Sequence, residues 1–586
     1  MRLTRRVSLM LGVFLAIVQT AGAQVANQLP ADSVVIVKIT NLKSFSTKVK
    51  NLAASMGIAQ FMGDFADPLP ALTKQLGVTQ GLDTAGDLVM AMPMNGVMTV
   101  TSGGPAQVVI LIPVTDYKTF IGNYPAATQE DGLDVFTFPG DPDKTYSTSW
   151  GSYAAISQVK LMLQNKPAGM TLTGLTAKQF SDSDLTIFVN PKPIWPILQP
   201  ELENARVTAS QEIKADNLPS PDMAKYVPVM KLAADDVLRG VERVFADSTG
   251  MSMSLNIKDS GITMTWAGDF DPDSYMGKLA ASIKDTNKSV LTGLPAGNYA
   301  AFGGFANDPQ AVSAWVSEWA DPLVKAASDL GEDGKPLVSA LTAFKAVIAA
   351  QTGMGFAISP PDPAGGPTAA LTPPTIDVQW GDSAIIKSSQ EQLMKSVSDI
   401  AGAGNLKVDV TPAAKTVNGV AFDETKVSSP SVQNGAAGGN PMVTGLAQGN
   451  DAFTAVVTPN ALLTFSNVAD DKLPAIVDAV KSSDATLGND PGVAAVNALL
   501  PADRLAAFYF RETGAPANDP LIGMTAATAG PSVRFDLYIS GATATTLVQQ
   551  ITQLYQTFGG GGAQPPPGGA GNNPPPPPPP MPGGGL

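Results

Sequence analysis

Apolar positions cluster in short runs, each introduced by a turn. Leu29–Phe45 reads LPADSVVIVKITNLKSF. A turn at Leu29-Pro30-Ala31-Asp32 launches Val34–Ile39, whose apolar residues occupy both faces and so predict a strand covered on both sides. Asn41 can cap the helix that follows, where Phe45, Val49, Leu52 and Met56 stand at helical spacing. The same opening returns at Leu294–Phe305 (LPAGNYAAFGGF) and Leu500–Phe510 (LPADRLAAFYF). Gln107–Val114 is a second apolar strand, with Thr115-Asp116 capping a helix over 117–124. Leu202–Lys214 and Met223–Phe245 carry helical patterning, and Asp235, Asp236, Arg239, Glu242 and Arg243 fit a solvated helix face. Pro191–Pro200 reads as a Pro-rich stretch after the strand Leu185–Asn190. Met251–Lys258 and Ile262–Phe270 predict a hairpin across Asp259-Ser260-Gly261. Its period-two alternation (Met251, Met253, Leu255, Ile257) predicts one buried apolar face and one polar face. Later elements are Ile376–Trp380, a helix over 388–400, Ala452–Val457 and Val533–Ser540.

Laid side by side, two halves follow one order. A Leu-Pro-Ala strand with a capped helix is followed by a strand ending in Ser (Ser152–Ser157, Ala461–Ser466). An Asp-led strand comes next (Asp184–Asn190, Asp503–Phe510). Each half closes on a strand running into an amphipathic helix, at Ile262–Ile283 and Val533–Phe558. The expected fold class is α+β, with mainly antiparallel sheets and packed amphipathic helices in two homologous units, 24–285 and 290–558. The second unit carries low-complexity loops at 360–374 and 429–441. The third Leu-Pro-Ala turn is then no third domain but the counterpart of Ser183-Asp184-Leu185.

The ends of the chain change the picture. Arg2, Arg5 and Arg6 precede the apolar run Val7–Val18, and Ala21-Gly22-Ala23 supplies small residues for cleavage before Gln24. Residues 1–23 therefore read as a secretory signal peptide, too short an apolar run to span a bilayer. The expected location is export to periplasm, cell surface or medium, with no transmembrane span in the mature chain. The chain has 37 Lys+Arg and 51 Asp+Glu; loss of the three signal arginines leaves 34 against 51, a net charge of −17. No basic block of five or more occurs, so nucleic acid and anionic membrane are not expected partners. Residues 559–586 are Gly/Pro-rich and are expected to be disordered, with Pro574–Pro580 in a polyproline helix that offers a groove ligand for an envelope protein partner or a spacer.

Candidate chemistry is thin. The chain of 586 residues has no Cys and no His, which removes disulfides, thiol nucleophiles and the usual neutral-pH proton shuttle. Asp269-Phe-Asp271-Pro-Asp273 opens like a calcium loop, but Ser274 and Ala280 stand where Gly and Glu belong; helix capping is the plainer reading, as for the turn acids Asp141, Asp143, Asp182 and Asp184. Ser157-Gln-Val-Lys160 matches S-x-x-K, yet the partner elements S-D-N and K-T-G are missing. Gly303-Gly304, Gly353-Met-Gly355 and Gly277-Lys278 lack the spacing of a phosphate-binding loop, and Gly381-Asp-Ser383 lacks the rest of a nucleophile elbow. Met90, Met92, Met94 and Met98, and Trp315 with Trp319, would suit an apolar groove, though such stripes are more often core.

The Leu-Pro-Ala-(Asp) strand starts, the VVILIPVTDYKTF segment and the signal together resemble exported bacterial proteins grouped as a domain of unknown function, of the kind found in planctomycete-like bacteria. The resemblance spans 24–558 loosely and rests on structural motifs. It implies an α+β fold and an envelope location, and carries over no catalytic or binding residue. No catalytic, cofactor-binding or metal residue is assigned, and no cofactor is expected. The expected function is a non-catalytic binding or scaffolding component of the cell envelope. The alternatives are a carrier of an apolar ligand between a sheet and its helices, or a hydrolase using Ser157–Lys160 or paired carboxylates.

Overall fold

A computed structural model describes residues 25–545, apart from residue 27 and residues 102–106, 165–168, 219–220, 285–288, 307, 361–371, 402–405, 429–450, 484–485 and 512–520. The expected signal, the loop 429–441, the tail 559–586, and most of the loop 360–374 and of the helix Thr545–Phe558 lie outside the described residues.

The strands of the first half are β1 (Ser33–Ile39), β2 (Leu88–Pro93), β3 (Val109–Pro113), β4 (Thr128–Glu130), β5 (Leu133–Phe136), β6 (Thr145–Trp150), β7 (Tyr153–Ser157), β8 (Leu185–Val189), β9 (Ser248–Lys258) and β10 (Gly261–Phe270). Those of the second are β11 (Ala301–Ala306), β12 (Gln351–Ile358), β13 (Thr375–Gly381), β14 (Lys407–Val417), β15 (Val420–Ser428), β16 (Ala452–Thr458), β17 (Ala461–Ser466), β18 (Ala506–Phe510), β19 (Ile522–Ala529) and β20 (Ser532–Ser540). All pair antiparallel in one sheet. Outward from its middle, the first half runs β10, β9, β8, β1, β2, β3, β7, β6, β5, β4. The second runs β20, β19, β18, β11, β12, β13, β17, β16, β15, β14. Adding ten to each strand number converts one series into the other. Strands β10 and β20 pair along their length, so the two halves share one sheet instead of carrying one each. The fold is α+β.

Helices are set by the caps that the sequence supplies. Asn41, at φ 52°, accepts from the Ser44 amide and opens α1 (Leu42–Ser55). Thr173 precedes α2 (Gly174–Asp182), whose first amides bond the Asp269 carboxylate. The Pro-rich stretch is a departure: α3 runs unbroken over Pro191–Glu212 with Pro196 and Pro200 inside it. Asn190 caps that helix and Pro191 takes its first turn at no loss of a bonded N–H, whereas Pro196 and Pro200 each remove one intrahelical bond. An antiparallel partner, α4 (Val227–Asp247), returns to β9. Ser274 caps α5 (Tyr275–Ser282), and Asp308 caps α6 (Pro309–Ser328), which pairs with α7 (Lys335–Ala350). Finally α8 (Ser383–Ala401) lies along α7 and against β13, β16 and β17.

The acids on α4 do more than face solvent. Asp235 holds Arg206 of α3 at 2.7 Å and Arg239 at 2.8 Å, and Arg243 lies over the Tyr275 ring at 4.2 Å.

The back of the sheet is closed in both halves. Ile36 and Phe188 in the first half and Phe302 and Tyr509 in the second are buried. Lys38 also points there, fully buried, donating to the Phe180 carbonyl at 2.6 Å and paired with Asp87 at 3.3 Å. Burial pulls its ammonium below the usual lysine range, and Asp87 opposes that pull.

Candidate functional site: an open apolar sheet face

The front of the sheet differs between the halves. Cross-strand register places Ile156, Ile110, Met90, Val37, Ile187 and Met253 in one row of the first half. The matching row of the second half is Thr464, Asp377, Phe356, Gly303, Phe508 and Met524. In the first half, Leu42, Phe45 and Val49 of α1 pack on Val37, Ile39 and Met90 and remove them from water. Leu42, Phe45 and Val49 recur at helical spacing, so one face of α1 meets the strands.

In the second half the helix in the same chain position goes elsewhere. Leu323 and Ala327 of α6 pack with Val229 of α4 in a small core of their own, joined by Leu337, Val338 and Leu341 of α7. Trp319 meets Phe344 at 5.9 Å within that bundle, and Trp315 stays 41% exposed. Among the described residues neither α6 nor α7 lies broadly on a strand.

The front face from β12 to β10 is therefore left partly open. Trp266 (36% exposed), Phe510 (41%), Met524 (43%) and Phe535 (55%) all belong to it. Gly303 sits where Val37 sits in the first half; a Cβ there would lie 2.8 Å from the Phe508 Cα and 2.9 Å from its ring. Lacking a side chain at Gly303, the Phe508 ring leans across β11 toward Phe356, with centroids 6.0 Å apart. Small residue and large ring together make a shallow aromatic trough.

At the end of that row stands Asp377, flanked across the sheet by Phe356 and Thr464. Its Oδ1 is shut off from solvent and has no hydrogen-bond partner. Burial pushes its carboxyl up to about 7, with Gln379 beside it pulling the other way. Gln379 is itself held by the Gln390 amide of α8 at 2.9 Å. A buried, unsatisfied carboxyl oxygen costs about 1–3 kcal/mol, so its persistence needs a reason.

At β9 the expectation holds for half of the apolar face, where Leu255 and Ile257 are buried, and fails at its other end. The sequence predicts the Met251/Met253 side to be buried and the serine side wet. Instead Ser252 and Ser254 are buried on the back, Ser252 donating to Gln179 of α2 at 2.6 Å, while Met251 and Met253 are only half-buried. Polar groups tolerate burial when bonded, and the covering helix provides the bonds.

The other candidates are dispersed. Ser157 is buried at the end of β7 and accepts from the Val159 amide, whereas Lys160 pairs with Glu130 and Asp131. Ser157 and Lys160 share no hydrogen bond. Asp269 bonds the amides of Leu175 and Thr176 and the Ser532 hydroxyl, capping α2 instead of its own following helix. Among the described residues no cluster of three acids is arranged for a metal ion. Met90 lies in the core, Met92 is half-buried and Met98 is 49% exposed. Asp141 is buried, Asp143 is exposed with its amide bonding Asp141, and Asp182 pairs with Lys178. Asp184 is buried 3.7 Å from Lys48, and burial pushes its carboxyl up to about 7.

No described helix is long and apolar enough to cross a membrane. Comparison with family models, with curated proteins and with solved structures finds no match for this chain.

Proposed function

We propose that this is an exported, non-catalytic binding protein of the bacterial envelope, whose working surface is the open front face of the second half. The ligand class is an amphipathic small molecule. Its apolar body lies on Phe356, Phe508 and Phe510, and a single hydrogen-bond-donating head meets Asp377. The observation that carries this reading is Asp377 Oδ1, buried without a partner at the end of a half-exposed aromatic row. A donor from outside the chain would satisfy it, and apolar surface left open beside it would be covered in the same step. Export is supported by the pattern of residues 1–23. The Pro-rich tail suits contact with a second envelope protein. The repeated strand order supports an origin of the two halves by duplication, and the likeness to exported domain-of-unknown-function proteins belongs to the same proposal.

Native mass spectrometry of protein purified without detergent tests the ligand. A small apolar compound released on denaturation is expected. Binding of the neutral dye N-phenyl-1-naphthylamine should weaken about tenfold in Phe508→Ser, equivalent to about 1.4 kcal/mol. Repeated preparations free of any compound, with dye binding indifferent to Phe508→Ser, would sink the proposal. Fractionation of the native host tests export, with a mature N-terminus at Gln24 expected.

A further inference from the structure

Three buried acids elsewhere in this chain meet a cation. Asp87 has Lys38 at 3.3 Å, Asp184 has Lys48 at 3.7 Å and Asp536 has Arg534 at 2.8 Å. Asp377 has none. Strands β12 and β17 on either side of it contain no charged residue, and Asp377 is the single charged residue of β13. On α8, which borders this strand, Lys387 is taken up by Asp423 at 2.7 Å and Glu391 at 2.9 Å, and Lys395 by Asp399 at 2.8 Å. Burial therefore acts on the Asp377 carboxyl with Gln379 alone opposing it.

The groups around that carboxyl are acceptors and a ring. Phe356 and Thr464 stand directly opposite it on the two flanking strands, where paired Cβ atoms lie about 5 Å apart. The Thr464 and Thr454 hydroxyls are 3.1 Å from each other. When Thr464 donates to Thr454, its own oxygen keeps a lone pair for an outside donor. Gln379 offers no second acceptor, because its carbonyl oxygen already receives the Gln390 amide at 2.9 Å.

The first half shows what such a set can hold. There the Lys38 ammonium lies against the Asp87 carboxylate, donates to the Phe180 carbonyl at 2.6 Å and sits 5.0 Å from the centre of the Phe180 ring. A carboxylate, a second oxygen and a phenyl ring recur around Asp377, with no ammonium of this chain among them. An ammonium brings three donors and no acceptor, so it matches an all-acceptor site, and its charge is attracted to an aromatic ring within about 6 Å.

We infer that the head group of the trough's ligand is a primary ammonium, held by Asp377 Oδ1 and the Thr464 hydroxyl beside the Phe356 ring, so that the site takes alkyl- or arylamines. The inference rests on the ligand reading above and names the chemistry of the head. A hydroxyl head would fill the hydrogen bond but leave the carboxylate charge uncompensated. A carboxylate head would set two like charges together.

Isothermal titration calorimetry of the full chain at pH 8, with octylamine, octan-1-ol and octanoate each below its micelle concentration, tests this. Octylamine is expected to bind at least tenfold more tightly than octan-1-ol, since its hydrogen bond to Asp377 is charge-assisted, and octanoate is expected to bind most weakly of the three. Asp377→Asn should narrow the gap between amine and alcohol to within threefold. Phe356→Leu should weaken octylamine about threefold more than octan-1-ol, through loss of the ring beside the charge. The inference is overturned if octylamine does not bind, or binds no more tightly than octan-1-ol. It is equally overturned if the preference survives Asp377→Asn, which would assign it to the acidic surface as a whole. Octan-1-ol binding that is lost in Phe508→Ser, with no preference for the amine, would leave the trough standing and sink the ammonium alone, so failure here and failure of the ligand reading are distinguishable.

Discussion

The two halves of the sheet carry the same ten strands in the same order, yet α1 closes the front face of the first, whereas in the second α8 covers the face at β13, β16 and β17 and leaves it partly open from β12 to β10. Position by position the difference lies in a few side chains. Where the first half has Val37, Met90, Ile110 and Ile187, the second has Gly303, Phe356, Asp377 and Phe508. The first set is aliphatic and accepts a helix laid flat upon it. The second has a glycine whose place the Phe508 ring takes, a second ring at Phe356, and a carboxyl on the strand that α8 borders. Topology therefore does not decide closure; the row of side chains and the destination of the following helix do. The helix after β11 buries Leu323 and Ala327 within a helical bundle.

That contrast can be broken most severely on the closed side. Lys38 and Asp87 are a buried pair in the first half, and the corresponding position in the second is Gly304, where the Val290 carbonyl approaches to 2.3 Å of where a Cβ would lie. Asp87→Ala should cost about 3–5 kcal/mol by leaving a buried ammonium uncompensated. Chemical denaturation would read this as a large fall in midpoint. Lys38→Met combined with Asp87→Leu should recover most of the loss, since apolar replacement of a whole pair is often neutral. A single variant as stable as wild type would show that the ammonium is not buried as described. Next in size, Phe45→Ala removes the centre of the cover helix and should cost about 3 kcal/mol. The matched change on the open side, Phe535→Ser, should cost less than about 1 kcal/mol, because that ring is already half in water. Equal losses for the two would contradict the closed and open faces.

Much of the closed half was legible in the sequence. Val34–Ile39 is apolar on both faces and is covered on both, and the caps at Asn41 and Asp116 fall where their side chains announced them. Strand matching is close: the Ser-ended strands and the third Leu-Pro-Ala strand take equivalent places, although Leu505 and not Asp503 is the positional partner of Asp184. The β14–β15 hairpin was missed despite its Asn418-Gly419 turn, both residues at positive φ. The open site was not legible, for a physical reason. Period-two alternation tells which residues share a face but not which face a helix covers, and covering is decided by segments far away in the chain. Hence Met251 and Met253 read as buried, and Ile376–Trp380 read as an ordinary strand. The one local signal was Asp377 itself, an acid set between Ile376 and Val378 in an otherwise buried run.

The smallest expected effect concerns that acid. Its carboxyl sits at about 7 in the folded chain against 3.8 when free in water, because burial disfavours the ionised form. Protonated, it buries no charge; ionised, it adds a desolvation penalty that destabilises the fold. The penalty is absent below about pH 4, grows as pH rises between the two values and is complete above about pH 7. A shift of this size in a sealed site would amount to about 4 kcal/mol, but Asp377 as a whole is only part-buried, so solvent screening leaves about 1–2 kcal/mol. Asp377→Asn should then be more stable than wild type at pH 8, and the two melting temperatures should converge as pH falls toward 4. Asp184, also raised to about 7, is common to both proteins and cancels in the difference. Parallel curves from pH 4 to 8 would mean that the carboxyl is solvated, and with it would go the argument that Asp377 awaits a donor. If bound ligand already supplies that donor, the wild-type penalty should vanish on loading and return on its extraction, which ties the pH curve to occupancy of the trough.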